Sequence, residues 1–169
     1  MMKWLKRLIQ NRRVDERDVR RLLPEAALAR IQAQVAASES AHTGQIRVCV
    51  EAGLPWSYLA KRLTARDRAI MLFSKLRVWD TAANNGVLIY LLLAERAIEI
   101  VSDRGLNAHA DSHFWQALIT RMRPALQSGE FEAGLSLAIA AVDERLRQAY
   151  PAAPDQAHSN ELPDAPLVL

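Results

Sequence analysis

Only one cysteine, Cys49, occurs in the 169 residues. An intramolecular disulfide framework is therefore excluded, as is any multi-cysteine zinc or iron–sulfur centre, and a reducing compartment is implied. Aromatic residues are scarce at 6%. None outside Trp4 is interleaved with basic side chains, so the stacking surface of a nucleic-acid binder is missing. No apolar run approaches the roughly 18 residues of a membrane span, and no repeat recurs at a period of about 20 to 50 residues. What is present is 50% apolar and 24% charged sequence, the composition of one soluble domain with a sizeable core.

Charge is unevenly distributed. Residues 1–21 hold eight basic and three acidic side chains, whereas the whole chain is only +3, so the high isoelectric point belongs to one segment. That segment lacks the apolar centre of a secretory signal, because Asn11, Arg12 and Arg13 interrupt it, and retention in the cytoplasm is expected. A helix over its first ten residues opposes Trp4, Leu5, Leu8 and Ile9 to Lys3, Lys6 and Arg7. Such a segment suits an anionic membrane surface or a membrane partner at the inner face of the membrane, with Trp4, Lys3, Lys6 and Arg7 as contact residues.

Hydrophobic periodicity divides the rest. Pro24 opens a helix that carries Leu28, Ile31 and Val35. Ile46, Val48 and Val50 alternate with Gln45, Arg47, Cys49 and Glu51, the period of a strand. Thr64-Ala65-Arg66-Asp67 reads as a capped helix start, continued by Ala69, Ile70, Phe73 and Leu76. The apolar run Val87–Leu93 reads as a strand buried on both faces, and a two-residue connection leads to an antiparallel partner over 96–102. Two further helices, about 111–127 and 130–150, follow with faces that cover a sheet. The class is α/β, a strand–helix–strand unit plus an antiparallel hairpin in a short mixed sheet. Three parts are expected: a basic helical segment at 1–23, the α/β domain at 24–150, and a tail at 151–169 whose four prolines predict disorder.

An antiparallel hairpin brings the start of one strand beside the end of its partner, so the loops at 79–86 and 102–111 must be neighbours. Asp80, Asn84, Asn85, Asp103, Asn107 and Asp111 then converge on one sheet edge. Oxygen ligands of this kind suit a hard cation such as calcium or magnesium. The same residue types also close turns and cap helices. Elsewhere, His109 and His113 lack the Glu and third ligand of a zinc site. Cys49 reads as a packed, inert thiol, and His42 as a charge partner at a helix end. Ser57 and Ser102 lack the context of a hydrolase nucleophile.

The blocks Glu39–Gly44, Gln45-Ile46-Arg47-Val48, Val78-Trp79-Asp80-Thr81, Asn84-Asn85-Gly86 through Arg96, Glu99–Gly105 and Gly129–Gly134, in this order, resemble the TPM-domain family over about residues 24–151. The resemblance implies a three-layer α/β/α sandwich, the phosphatase label the family carries from a thylakoid-lumen acid phosphatase, and calcium binding by some members at the sheet-edge cleft. It also implies a bacterial branch, without signal peptide, that accompanies LemA-type membrane proteins. Two family carboxylates are amides here: Asn84 stands in the Asp-Asn-Gly position and Asn107 in the Gly-Leu-Glu position. A non-catalytic binding or adaptor domain near the cytoplasmic membrane face, with at most a weak divalent-cation site, is therefore the first expectation. The alternative is a metal-assisted acid phosphatase in which Asp80, Asp103 and Asp111 hold the cation and Arg104 clamps the phosphoryl oxygens.

Overall fold

The computed structural model of the chain describes residues 2–106, 109, 112–153 and 160–169. Alternation along β1 (Gln45–Glu51) sorts its side chains into two cores: Ile46, Val48 and Val50 enter one and Cys49 the other. β2 (Gly86–Leu92) does the same, with Val87, Ile89 and Leu91 on the first side and Leu88, Tyr90 and Leu92 on the second. The two strands are parallel, Val48 opposite Ile89. β3 (Ala97–Ser102) returns antiparallel to β2. The turn between them spans four residues rather than the expected two, because Arg96 takes a left-handed φ of 49° and only then rejoins the ladder.

The first core is covered by α2 (Glu16–Leu22), α3 (Glu25–Glu39), α6 (Ser112–Ser128) and α7 (Phe131–Ala149), through side chains such as Val19, Ile31, Met122 and Ile139. The second is covered by the crossover helices α4 (Trp56–Ala60) and α5 (Ala65–Lys75), through Leu59, Ala69 and Leu72. Helices on both faces of one mixed sheet make the three-layer α/β/α sandwich. Thr64 and Asp67 form the expected capping box at α5, and Asp15 and Asp18 form another at α2.

The second face of β1 is polar, and its partners are specific. Glu51 is buried, receives both Arg68 Nε (2.9 Å) and Nη2 (2.5 Å), and accepts the Tyr90 hydroxyl at 2.6 Å. These bonds fasten α5 and β2 to β1 across that face.

Gln45 and Arg47 find their partners in the C-terminal segment, which corrects the expectation of a disordered tail for residues 160–169. Gln45 Oε1 accepts the backbone N–H groups of Glu161 (2.7 Å) and Leu162 (3.0 Å), and Arg47 Nη1 donates to the Pro163 carbonyl at 2.7 Å. Leu162 is buried beneath the sheet. The segment ends in β4 (Leu167–Val168), parallel to β1, so the sheet order is β3-β2-β1-β4. Prolines lack an N–H but keep a carbonyl; here the Pro163 and Ala165 carbonyls satisfy the Arg47 guanidinium, and the two-residue strand with Leu169 pairs with the open edge of β1. Residues 154–159, within the same expected tail, lie outside the described residues.

At the end of α3, the Glu39 carboxylate accepts the Ile46 N–H at 2.8 Å. Burial pushes this carboxyl up to about 7; the Ile46 bond works against that rise, and Asp164 of the C-terminal segment adds to it.

Two measurements check this architecture. Gln45→Ala leaves the Glu161 and Leu162 amides without their acceptor, at a cost of about 1–3 kcal/mol and a fall of several degrees in melting temperature; an unchanged midpoint would show that the segment does not pack on β1. Glu39 holds its proton to about 7, whereas an unfolded glutamate releases it at about 4.3. Its contribution to stability is therefore full below about pH 4.3 and fades as pH rises through the folded value. Glu39→Gln should flatten the fall in stability over that window, and an equally steep curve in the variant would contradict the assignment.

Candidate functional site

The edge where β2 begins and β3 ends is built by backbone interlock. Asn84 adopts a left-handed φ of 51°, which asparagine tolerates better than most residues, and its carbonyl accepts the Gly105 N–H at 3.0 Å. A Cβ on Gly105 would come within 2.4 Å of that carbonyl and 2.5 Å of the Tyr150 hydroxyl. The Asp103 N–H donates to the Gly86 carbonyl at 2.9 Å. The two loops are thus in direct contact.

Asn85 is fully buried. Its Nδ2 donates to the Thr43 carbonyl at 3.2 Å, and its backbone N–H donates to Thr81 Oγ1 at 3.1 Å. Asp103 Oδ1 accepts the Arg104 N–H at 2.7 Å, and Arg104 Nη2 donates to Asn84 Oδ1 at 3.3 Å. Two oxygens remain: Asn85 Oδ1 and Asp103 Oδ2 are buried and have no hydrogen-bond partner among the described residues. Beside them, burial and then the Asp103 charge push the Tyr150 hydroxyl above the usual phenol range, so it holds its proton more firmly, and its ring meets His109 edge-on at 6.0 Å.

Of the six oxygen-bearing residues expected here, the structure brings Asn84, Asn85 and Asp103 to this edge with Arg104. Asp80 is exposed, and its carboxylate is paired with Arg77 Nη2 at 2.6 Å; the i, i+3 spacing on the turn after α5 makes that pairing local and easy. Asn107 and Asp111 lie outside the described residues. No cluster of three or more His, Cys, Asp or Glu side chains able to hold a metal occurs among the described residues. The donor set at the edge is one carboxylate oxygen and one amide oxygen beside a guanidinium. It fits a hard cation in donor type, but its charge fits only loose binding.

Other expected residues take structural places. Cys49 is buried, and burial, then the Glu51 charge, pushes its thiol up to about 12, so it stays protonated and inert. His42 is buried; its Nε2 lies 2.8 Å from Ser38 Oγ and 3.4 Å from Asp143 Oδ1. Serine and acid meet the same ring nitrogen, unlike a hydrolase triad, where they occupy opposite nitrogens. The group fastens the end of α3 to α7, and the Ser38-x-x-x-His42 spacing was the signal for it.

At α1 (Met2–Arg13) two of the expected contact residues are bonded to the domain itself. Trp4 Nε1 donates to the Leu59 carbonyl at 3.3 Å, and Arg7 donates to Glu95 Oε1 (2.7 Å) and to the Leu63 carbonyl (2.8 Å). Both side chains are used in holding the helix to the domain, because they share its inward face. Lys6 stays exposed, and the Lys3 side chain lies outside the described residues.

Comparison with known proteins places these features. The sequence profile of the TPM domain matches residues 17–145. The NMR structure of the BA42 protein from the psychrophilic bacterium Bizionia argentinensis is similar at a TM-score of 0.73 and 25% identity, covering 86% of this chain and 94% of that one. The N-terminal domain of a protein from P. gingivalis shares the fold at a TM-score of 0.62 and 23% identity, covering 76% of this chain and 79% of that one. No curated protein matches the chain.

Gly105→Ala tests the interlock. The added methyl meets the Asn84 and Ala83 carbonyls and the Tyr150 hydroxyl and should destabilise the domain by about 1–3 kcal/mol; a native melting temperature would mean that the loops are not in contact.

Proposed function

Because this chain belongs to the TPM-domain family, we infer that it is a non-catalytic binding or adaptor domain whose working surface is the edge where β2 begins and β3 ends, with a weakly held calcium or magnesium ion as part of that surface. One observation carries the reading: Asn85 Oδ1 and Asp103 Oδ2 are buried oxygens that accept no hydrogen bond from any described residue. Buried acceptors are normally satisfied, and an oxygen-seeking cation from solution is the partner that matches both. When bound, the ion would supply positive charge to a ligand's oxygens. Asp103 and Asn85 would hold it, and Asn84 and Gly105 would fix the backbone around it.

Charge supports binding over turnover. The resemblance places an amide, Asn84, where many relatives carry a carboxylate, and Asp80 is engaged by Arg77. A phosphomonoesterase needs either a nucleophile or enough cation charge to activate water, and Asp103 is the carboxylate that the described part of the edge contributes. Arg104 favours the second reading, a metal-assisted phosphatase, since its guanidinium lies at the same edge and suits phosphoryl oxygens. By the same resemblance, the partner for an adaptor of this kind is a LemA-type membrane protein at the cytoplasmic face.

Calcium titration followed by calorimetry and thermal unfolding tests the reading. Dissociation near 10⁻⁴–10⁻³ M, roughly the range of weak protein sites, is expected for the native chain, and Asp103→Asn should abolish the thermal shift while keeping the fold. A calcium shift that persists in the variant would relocate the site. Hydrolysis of an aryl phosphate with calcium, magnesium or manganese that disappears in Asp103→Asn would install the phosphatase reading instead.

A further inference from the structure

Among the described residues, the bonds that hold helix α1 all come from one side. Asn11 is buried, its Nδ2 donating to Glu95 Oε1 at 2.9 Å and its Oδ1 accepting the Leu54 N–H at 2.8 Å. Arg7 shares the same Glu95 oxygen, Gln10 reaches the Ala94 carbonyl, and Trp4 reaches α4. At about 100° per residue, Trp4, Arg7 and Asn11 share a face, which turns Met2, Leu5, Ile9 and Arg13 to the opposite one. There Met2 is 86% exposed, Leu5 48% and Ile9 43%. These residues form one shallow surface concavity with Lys6 and Arg13, and Arg12 lies exposed beside Leu5 on the helical wheel. The helix contains five basic residues and no acidic one.

We propose that this outward stripe of α1 docks the protein on an anionic lipid bilayer, the helix lying in the plane of the interface with Met2, Leu5 and Ile9 inserted and Lys6, Arg12 and Arg13 against the headgroups. Charge selects this occupant. A second copy of the chain would bring three exposed cations against their own kind, whereas a lipid surface accepts a narrow apolar stripe and lets basic side chains reach outward to phosphates. The anchoring bonds make the surface preformed, so docking does not have to order the helix. Glu95 and Ala94 belong to the turn joining β2 to β3, at the opposite end of the sheet from the Asn85–Asp103 edge. The inference is independent of that edge, and both surfaces could be engaged together.

Co-sedimentation of the full chain with vesicles decides the matter, using phosphatidylcholine alone and phosphatidylcholine with one quarter phosphatidylglycerol. Native protein should sediment with the anionic vesicles and stay in solution with the neutral ones. Leu5→Asp with Ile9→Asp should lose the binding. Lys6→Glu with Arg13→Glu should weaken it by well over tenfold, since each basic side chain near an anionic surface changes partitioning about fivefold. All four positions are exposed, so melting temperatures should stay native and separate lost docking from lost folding. Native protein that fails to sediment with anionic vesicles, binds both vesicle types equally, or binds unchanged in the two variants would overturn the proposal. Concentration-dependent self-association abolished by the Leu5 and Ile9 changes, without lipid binding, would overturn it in favour of a protein contact.

Discussion

Glu51, Arg47 and Gln45 are buried on one face of a central strand, where an unpaired charge or amide would cost several kcal/mol. Their satisfaction organises the protein around β1. Glu51 draws Arg68 from α5 and Tyr90 from β2, which sets the position of the crossover helix over the sheet. Gln45 and Arg47 draw residues 161–163 to the remaining open edge, and β4 closes the ladder beyond them. The opposite face of β1 is apolar and packs by burial alone. One strand thus specifies a non-directional core on one side and directional contacts on the other.

That arrangement leaves two ends of the sheet with different chemistry. At the start of β2, backbone bonds from Gly105 to Asn84 and from Asp103 to Gly86 lock the two loops together, and two buried side-chain oxygens there have no hydrogen-bond partner among the described residues. At the far turn, Glu95 Oε1 accepts from both Arg7 and Asn11, so that turn serves to anchor α1. The proposed cation binding belongs to the first end and the proposed docking helix to the second. The four-stranded sheet joins them.

Much of this was legible in the sequence because the signals were local. The alternation from Gln45 to Glu51 and the run from Gly86 to Leu92 assign both strands and, by parity, both faces. Thr64 and Asp67 announce the start of α5 through a capping box. Contact between the loops before β2 and after β3 follows from antiparallel pairing. What was not legible depended on long-range choices. The C-terminal segment looks like a free tail because proline and small polar residues carry no periodicity; its order comes from carbonyls accepting from Arg47, more than a hundred residues away. Helical spacing shows that α1 has two faces, but Glu95 decides which one turns inward. Asp80 joined the candidate cation ligands because its loop neighbours the one after β3, whereas its carboxylate pairs with Arg77 three residues before it.

The most direct test of the account is an amide NMR titration of the native chain with calcium. The account predicts saturable shifts confined to Thr43, residues 81–86 and residues 103–105, with β4 and α1 unmoved, and loss of those shifts in Asp103→Asn. Shifts clustered elsewhere, or none at millimolar calcium, would contradict it.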